Sequence, residues 1–129
     1  MKIEHIAIWT SDLERLKDFY TQYFQASAGQ KYHNPKTGFQ SYFLTFASGA
    51  RLEIMQLPGL SAGADSTGQP RTGYAHLCLS VGLKEMVDEL TSRLRQDGYR
   101  VLDGPRLTGD GYYESQVEDP DGNRLEIAL

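Results

Sequence analysis

The chain has one cysteine, Cys78, one tryptophan, Trp9, and no apolar run near the roughly 18 residues that a membrane helix needs. A lone thiol closes no internal disulfide, so a hydrophobic core must hold the fold, and a reducing cytosol is the expected setting. The opening Met1-Lys2-Ile3-Glu4-His5 lacks the apolar centre of a signal peptide, which agrees with a cytoplasmic expectation. Excess positive charge is missing as well. Thirteen Lys and Arg against 17 Asp and Glu leave a net charge of −4, which on average repels nucleic acid and anionic membranes. The sequence has no phosphate-cradling glycine loop, no zinc-finger cysteine pattern and no nucleophile elbow. What remains is 129 residues, 40% of them hydrophobic, enough for one domain with its own core.

The chain repeats itself. Gly49-Ala50-Arg51-Leu52-Glu53-Ile54 recurs 73 residues later as Gly122-Asn123-Arg124-Leu125-Glu126-Ile127. Glu4-His5-Ile6-Ala7-Ile8 is echoed 71 residues later by Ala75-His76-Leu77-Cys78-Leu79. Each histidine is thus followed by its glutamate at nearly the same distance, 48 residues in one half and 50 in the other.

Both halves carry the same pattern of elements. Alternating apolar residues predict a strand over 3–10, and the Ser11/Glu14 spacing of a capping box predicts a helix from about Asp12. Leu13, Leu16, Phe19, Tyr20, Tyr23 and Phe24 form its apolar stripe. Strands are expected over 30–33, 39–47 and 51–57. The second half repeats this order, with a strand over 74–81 and a helix striped by Leu83, Met86, Val87, Leu90 and Leu94 that ends near Gly98. Strands over 99–102, 112–118 and 124–129 follow, the last two joined by the type I turn of Asp119-Pro120-Asp121-Gly122. The expected organisation is one α+β domain of two βαβββ modules, 1–57 and 74–129, joined by a linker over 58–73.

Alternate strand residues share a face. His5, Ala7 and Trp9 therefore lie together, as do Arg51, Glu53 and Met55; His76, Cys78 and Ser80; and Arg124, Glu126 and Ala128. If equivalent faces of the two modules meet, His5, Glu53, His76 and Glu126 converge. Two imidazoles and two carboxylates suit a first-row divalent metal and leave positions open for substrate oxygen. Zinc or nickel is expected first, with cobalt, manganese and iron also compatible with these donors.

With the residues in this order, the sequence resembles the vicinal oxygen chelate superfamily, which includes glyoxalase I, bleomycin-resistance proteins and dioxygenases. The resemblance spans essentially the whole chain. It rests on His5-Ile6-Ala7-Ile8 with Ser11-Asp12-Leu13 and Phe19-Tyr20, on Leu52-Glu53-Ile54, on His76-Leu77, and on Glu118-Asp119-Pro120-Asp121-Gly122 leading to Leu125-Glu126. It implies a half-open β-barrel around a divalent metal with helices outside, and a homodimer whose sites often combine modules from two chains. By position, His5, Glu53, His76 and Glu126 match the ligand set of glyoxalase I. Two positions depart from that enzyme. Trp9 stands where an arginine usually helps hold the glutathione carboxylate, and Leu57 stands where an asparagine is expected.

The resemblance implies a metal-dependent lyase that isomerises a glutathione adduct or similar small molecule through a metal-stabilised enediolate. Glu126 is the expected base, with Glu53 as ligand or partner in the proton shuttle. Trp9, Met55 and Cys78 are the expected substrate contacts, with Trp9 and Met55 favouring an apolar or aromatic portion. Cys78 is otherwise read as inert strand packing, and Lys31, Arg71 and Arg106 as loop cations within reach of an anionic substrate. The alternatives are a dioxygenase using His5, His76 and Glu126, an epimerase, or a non-catalytic drug-binding protein. For the last, Trp9, Tyr42, Phe43, Phe46, Tyr112 and Tyr113 would line the groove.

Overall fold

The computed structural model describes residues 1–60 and 72–129. Most of the linker expected over 58–73, including Arg71, lies outside the described residues. The chain divides into two compact units, Met1–Asp65 and Ser66–Leu129.

The first unit runs β1 (His5–Trp9), α1 (Leu13–Phe24), β2 (Ser27–Ala28), β3 (Tyr32–His33), β4 (Gln40–Thr45) and β5 (Arg51–Gln56). Its sheet has the order β1-β5-β4-β2, with β3 also paired to β4. β1 is parallel to β5 and the other pairings are antiparallel. The second unit runs β6 (Leu77–Ser80), α2 (Lys84–Gln96), β7 (Val101–Leu107), β8 (Tyr113–Glu118) and β9 (Arg124–Ala128), in the order β6-β9-β8-β7. Here too the first strand lies parallel to the last. The repeat read from the sequence is therefore a repeat of topology: the second unit is βαβββ, and the first differs only in carrying two short strands, β2 and β3, between its helix and β4.

Each helix covers one face of its sheet. Leu13, Leu16, Phe19, Tyr20 and Tyr23 of α1 are buried together with Leu44, Leu52 and Ile54 of the sheet. Val87, Leu90 and Leu94 of α2 are buried with Val117, Leu125 and Ile127. Each such side chain contributes about 1.5–3 kcal/mol by leaving water. One polar pair lies inside the second core: the Thr91 hydroxyl donates to the carbonyl of Val87 at 2.6 Å and stands 2.6 Å from the Ser115 hydroxyl. With the apolar residues of β5 and β9 committed to the helices, pleating turns the alternate residues Glu53 and Glu126 to the opposite faces.

Three details differ from the sequence expectation. Helix α1 is capped by Asp12, whose Oδ1 accepts the N–H of Arg15 at 3.1 Å. The Thr10 hydroxyl oxygen accepts the N–H of Asp12 at 3.0 Å and fixes that cap. The Ser11/Glu14 box is displaced because the Glu14 carboxylate is drawn to Lys17, Lys31 and Tyr42. The strand expected over 30–33 is instead two short ones, β2 and β3. The strand expected over 99–102 continues to Leu107 through Gly104-Pro105, a sequence that reads as a break. β7 tolerates it as an edge strand with shifted register between Asp103 and Arg106. Gly104, at φ +79°, is required there because a Cβ would meet the Glu114 carbonyl oxygen at 2.6 Å.

Candidate metal-ligating site

The same register operates in both units. Parallel pairing sets Ala7 opposite Glu53 and Cys78 opposite Glu126, so each histidine lies one step diagonally from its glutamate on the same face. His5 Nε2 is 3.9 Å from Glu53 Oε2, and His76 Nε2 is 3.0 Å from Glu126 Oε2. The carboxylates are mostly buried, at 16% and 12% exposure, while the imidazoles are 40% and 38% exposed. Each unit thus presents a mostly buried oxygen donor beside a nitrogen donor open to solvent.

These pairs fit a divalent ion chemically. Donors about 2.1 Å from one ion stand roughly 3.0–3.4 Å apart, a separation the His76–Glu126 pair already has and the His5–Glu53 pair exceeds. Among the described residues, no group of three or more His, Cys, Asp or Glu is gathered at one point. What the structure brings together is one His–Glu pair in each unit.

The surroundings of the two glutamates differ. Opposite Glu126 on β8 stands Gln116, whose side-chain N–H donates to Glu126 Oε1 at 3.0 Å. Opposite Glu53 on β4 stands Phe43. Phe43 meets the His5 ring edge-on at 5.4 Å and lies under the Arg51 guanidinium at 4.1 Å. Arg51 also bonds Glu4, and Glu4 in turn bonds Nδ1 of His5. These hydrogen bonds from His5 and Arg51 hold the Glu4 carboxyl below its ordinary range.

The open face of the second unit carries more titratable groups. Glu114 is raised above the usual carboxylate range by desolvation and by the charge of Glu126. Cys78 is exposed and so departs from the packed thiol expected of it. Its thiol is pushed up by desolvation and by Glu126 and Glu114, which favours the unreactive protonated form. Arg106 is bonded by its Nε to Asp103 Oδ2 at 2.5 Å, and Lys31 to Glu14 at 2.9 Å.

On the first unit Trp9 is 47% exposed, with Met55 directly across the strand pair. The Trp9 ring meets Phe39 edge-on at 6.1 Å, and Phe39 meets Tyr32 at 6.0 Å. Two of the aromatics named for a binding groove point elsewhere: the Tyr42 hydroxyl donates to Glu14 on α1, and that of Tyr113 to Asp88 on α2. Both belong to the helix-bearing faces. Sequence reasoning missed Gln116 and Glu4, and named Phe43 only as a groove aromatic. Gln116 follows from alternation once register is known, and Glu4 adjoins a candidate ligand.

Comparison with known proteins finds relatives along the whole chain. The family described as Glyoxalase/Bleomycin resistance protein/Dioxygenase superfamily matches residues 2–127. The chain is 28% identical to a lactoylglutathione lyase of Escherichia coli O157:H7, over 98% of its own length and 91% of the relative's. It is 27% identical to a Bacillus subtilis (strain 168) protein, YqjT, over 97% of this chain and 96% of that one. Among solved structures, a glyoxylase/bleomycin resistance protein/dioxygenase domain from Frankia sp. EAN1pec superposes with a TM-score of 0.82. At 19% identity over all of this chain and 97% of that one, the likeness establishes a common fold.

Proposed function

The chain belongs to the Glyoxalase/Bleomycin resistance protein/Dioxygenase superfamily, and on that premise we propose that it is a divalent-metal-dependent lyase of the glyoxalase I type. The observation that carries this reading is the equivalent His–Glu pair in each unit, above all His76 and Glu126 at 3.0 Å. In this reading His5, Glu53, His76 and Glu126 together hold one divalent ion, with zinc or nickel the first choices, in a cytoplasmic homodimer. Glu53 favours a four-ligand centre over a dioxygenase set, which has no use for a carboxylate at that position.

A bound divalent ion supplies Lewis acidity toward two neighbouring oxygens of the substrate. The remaining work falls to side chains. Glu126 takes the proton from the carbon beside the substrate carbonyl and returns it to the neighbouring carbon, so the net change is an isomerisation that needs no oxidant. Gln116 bonds Oε1 of that carboxylate, so Oε2, the oxygen beside His76, is the one that would meet both the ion and the proton. Glu53 is the corresponding group in the first unit. Trp9, Met55 and Cys78 contact the rest of the substrate. Trp9 favours an apolar portion over a carboxylate, because indole offers one N–H and a broad apolar face.

Elemental analysis of the purified protein, then reloading with zinc, nickel, cobalt or manganese and assaying the methylglyoxal–glutathione hemithioacetal, tests the proposal. The expected result is one ion per His–Glu–His–Glu set and metal-dependent isomerisation. Glu126→Gln is expected to keep its ion and lose about 10²–10⁴-fold in turnover. Full turnover in that variant with the ion retained overturns the role of Glu126, and a protein that takes up no ion overturns the reading.

A further inference from the structure

His5 is held differently from His76. Glu4 immediately precedes it, and its Oε2 bonds Nδ1 of the His5 ring. A carboxylate accepting from Nδ1–H places the ring proton on that nitrogen and leaves the Nε2 lone pair free, and Nε2 is the atom that faces Glu53. The other oxygen of Glu4 bonds the Arg51 guanidinium, which lies 4.1 Å over the ring of Phe43. Phe43 closes the circuit by meeting the imidazole edge-on at 5.4 Å. His5 is therefore gripped by a hydrogen bond at Nδ1 and by an aromatic wall, and Arg51 ties the two restraints together. The corresponding place before His76 is Ala75, which has no carboxylate.

We propose that Glu4 is a positioning residue that fixes the tautomer and orientation of the His5 imidazole for metal ligation, with Arg51 bracing it. The inference rests on the metal-binding reading above. It adds a residue outside the ligand set. A carboxylate on the far nitrogen of a ligating imidazole both orients the ring and makes it more basic, and losing one typically costs 10–100-fold in metal affinity. The wider His5–Glu53 separation makes such help most useful in this unit.

The test measures the dissociation constants of zinc and cobalt for the apoprotein, by competition with a chromogenic chelator. Wild type is compared with Glu4→Ala, Glu4→Gln and Glu89→Ala, the last removing an exposed carboxylate on α2. Glu4→Ala is expected to weaken binding about 10–100-fold. Glu4→Gln, which keeps an acceptor but no charge, is expected to fall between Glu4→Ala and wild type. Glu89→Ala is expected to match wild type, and the apoprotein melting temperatures to agree. The visible spectrum of the cobalt-loaded protein reports the geometry at the ion and is expected to change in Glu4→Ala alone. Tight binding by wild type and Glu4→Ala alike overturns the role of Glu4 and leaves the metal reading standing. An equal loss in Glu89→Ala also overturns it, by showing an effect of net charge. A wild-type protein that binds neither ion overturns both.

Discussion

Gln116 donates its side-chain amide to Oε1 of Glu126 at 3.0 Å, while Oε2 of the same carboxylate stands 3.0 Å from Nε2 of His76. The two oxygens therefore have separate duties, and cross-strand register assigns them, since Gln116 sits opposite Glu126 on the neighbouring strand. Replacing Gln116 by leucine removes the donor and nearly conserves volume. A hydrogen bond to a charged group is worth about 1.5–3 kcal/mol, so turnover is expected to fall roughly 10–100-fold through a misoriented carboxylate. Metal content by elemental analysis is expected to stay near wild type. Unchanged kcat in the leucine variant contradicts the arrangement.

The half-repeat was legible in the sequence because His5, Glu53, His76 and Glu126 sit at matching offsets within apolar strands, and alternation alone places each on the face opposite its helix. The pairing of Gln116 with Glu126 and of Phe43 with Glu53 was not legible, for a physical reason. Such pairing depends on which strand lies beside which and in what register, and no spacing along the chain encodes that. β7 illustrates the converse. Its Gly104-Pro105 reads as a strand break, yet an edge strand with shifted register accepts both residues. Alternation also placed Cys78 on the face of His76, and register sets it opposite Glu126 there, exposed where packing was the other expectation.

Trp9 gives a direct probe of substrate preference. It lies 47% exposed on the same face as His5, where an arginine would offer a bidentate clamp for a carboxylate. Trp9→Arg is therefore expected to raise kcat/KM for the glutathione hemithioacetal about tenfold, chiefly through KM, the size of one charge-assisted hydrogen bond. The same change is expected to lower it for an adduct of an aromatic thiol. Equal effects on both substrates would remove Trp9 from the substrate contacts.

Glu14 makes stability depend on acid. Its carboxylate accepts from Lys17, Lys31 and the Tyr42 hydroxyl, which holds its pKa at about 2 against an ordinary 4.5. The folded-state value is depressed, so the stabilisation is complete above pH 4.5 and is lost as pH falls toward 2. The side chain is 49% exposed, so water and salt screen these pairs and the effect is modest. Glu14→Gln is expected to melt about 2–5 °C lower than wild type at neutral pH, with the gap closing near pH 2 and narrowing in 1 M salt. A gap that persists unchanged at low pH assigns it to packing instead of charge.

Helix α1 ends on a residue in a costly conformation. Gln25, at φ 55° and ψ 26°, occupies the left-handed region where glycine is the usual C-terminal cap. Its backbone N–H donates to the carbonyl of Tyr20, and Ala26 N–H donates to the same oxygen at 3.2 Å, so the chain must turn at this residue for both bonds to form. An L side chain pays about 1 kcal/mol or more for that φ, whereas glycine adopts it freely but loses more entropy on folding. The Gln25 side chain is exposed, so its removal sacrifices little packing. Gln25→Gly is expected to stabilise the fold by about 0.5–1 kcal/mol, and Gln25→Val, with its branched Cβ, to destabilise it by a similar amount. Urea unfolding of the two variants reads the sign directly. The midpoint should rise for glycine and fall for valine at constant m, and a glycine variant less stable than wild type contradicts the strain assigned to this cap.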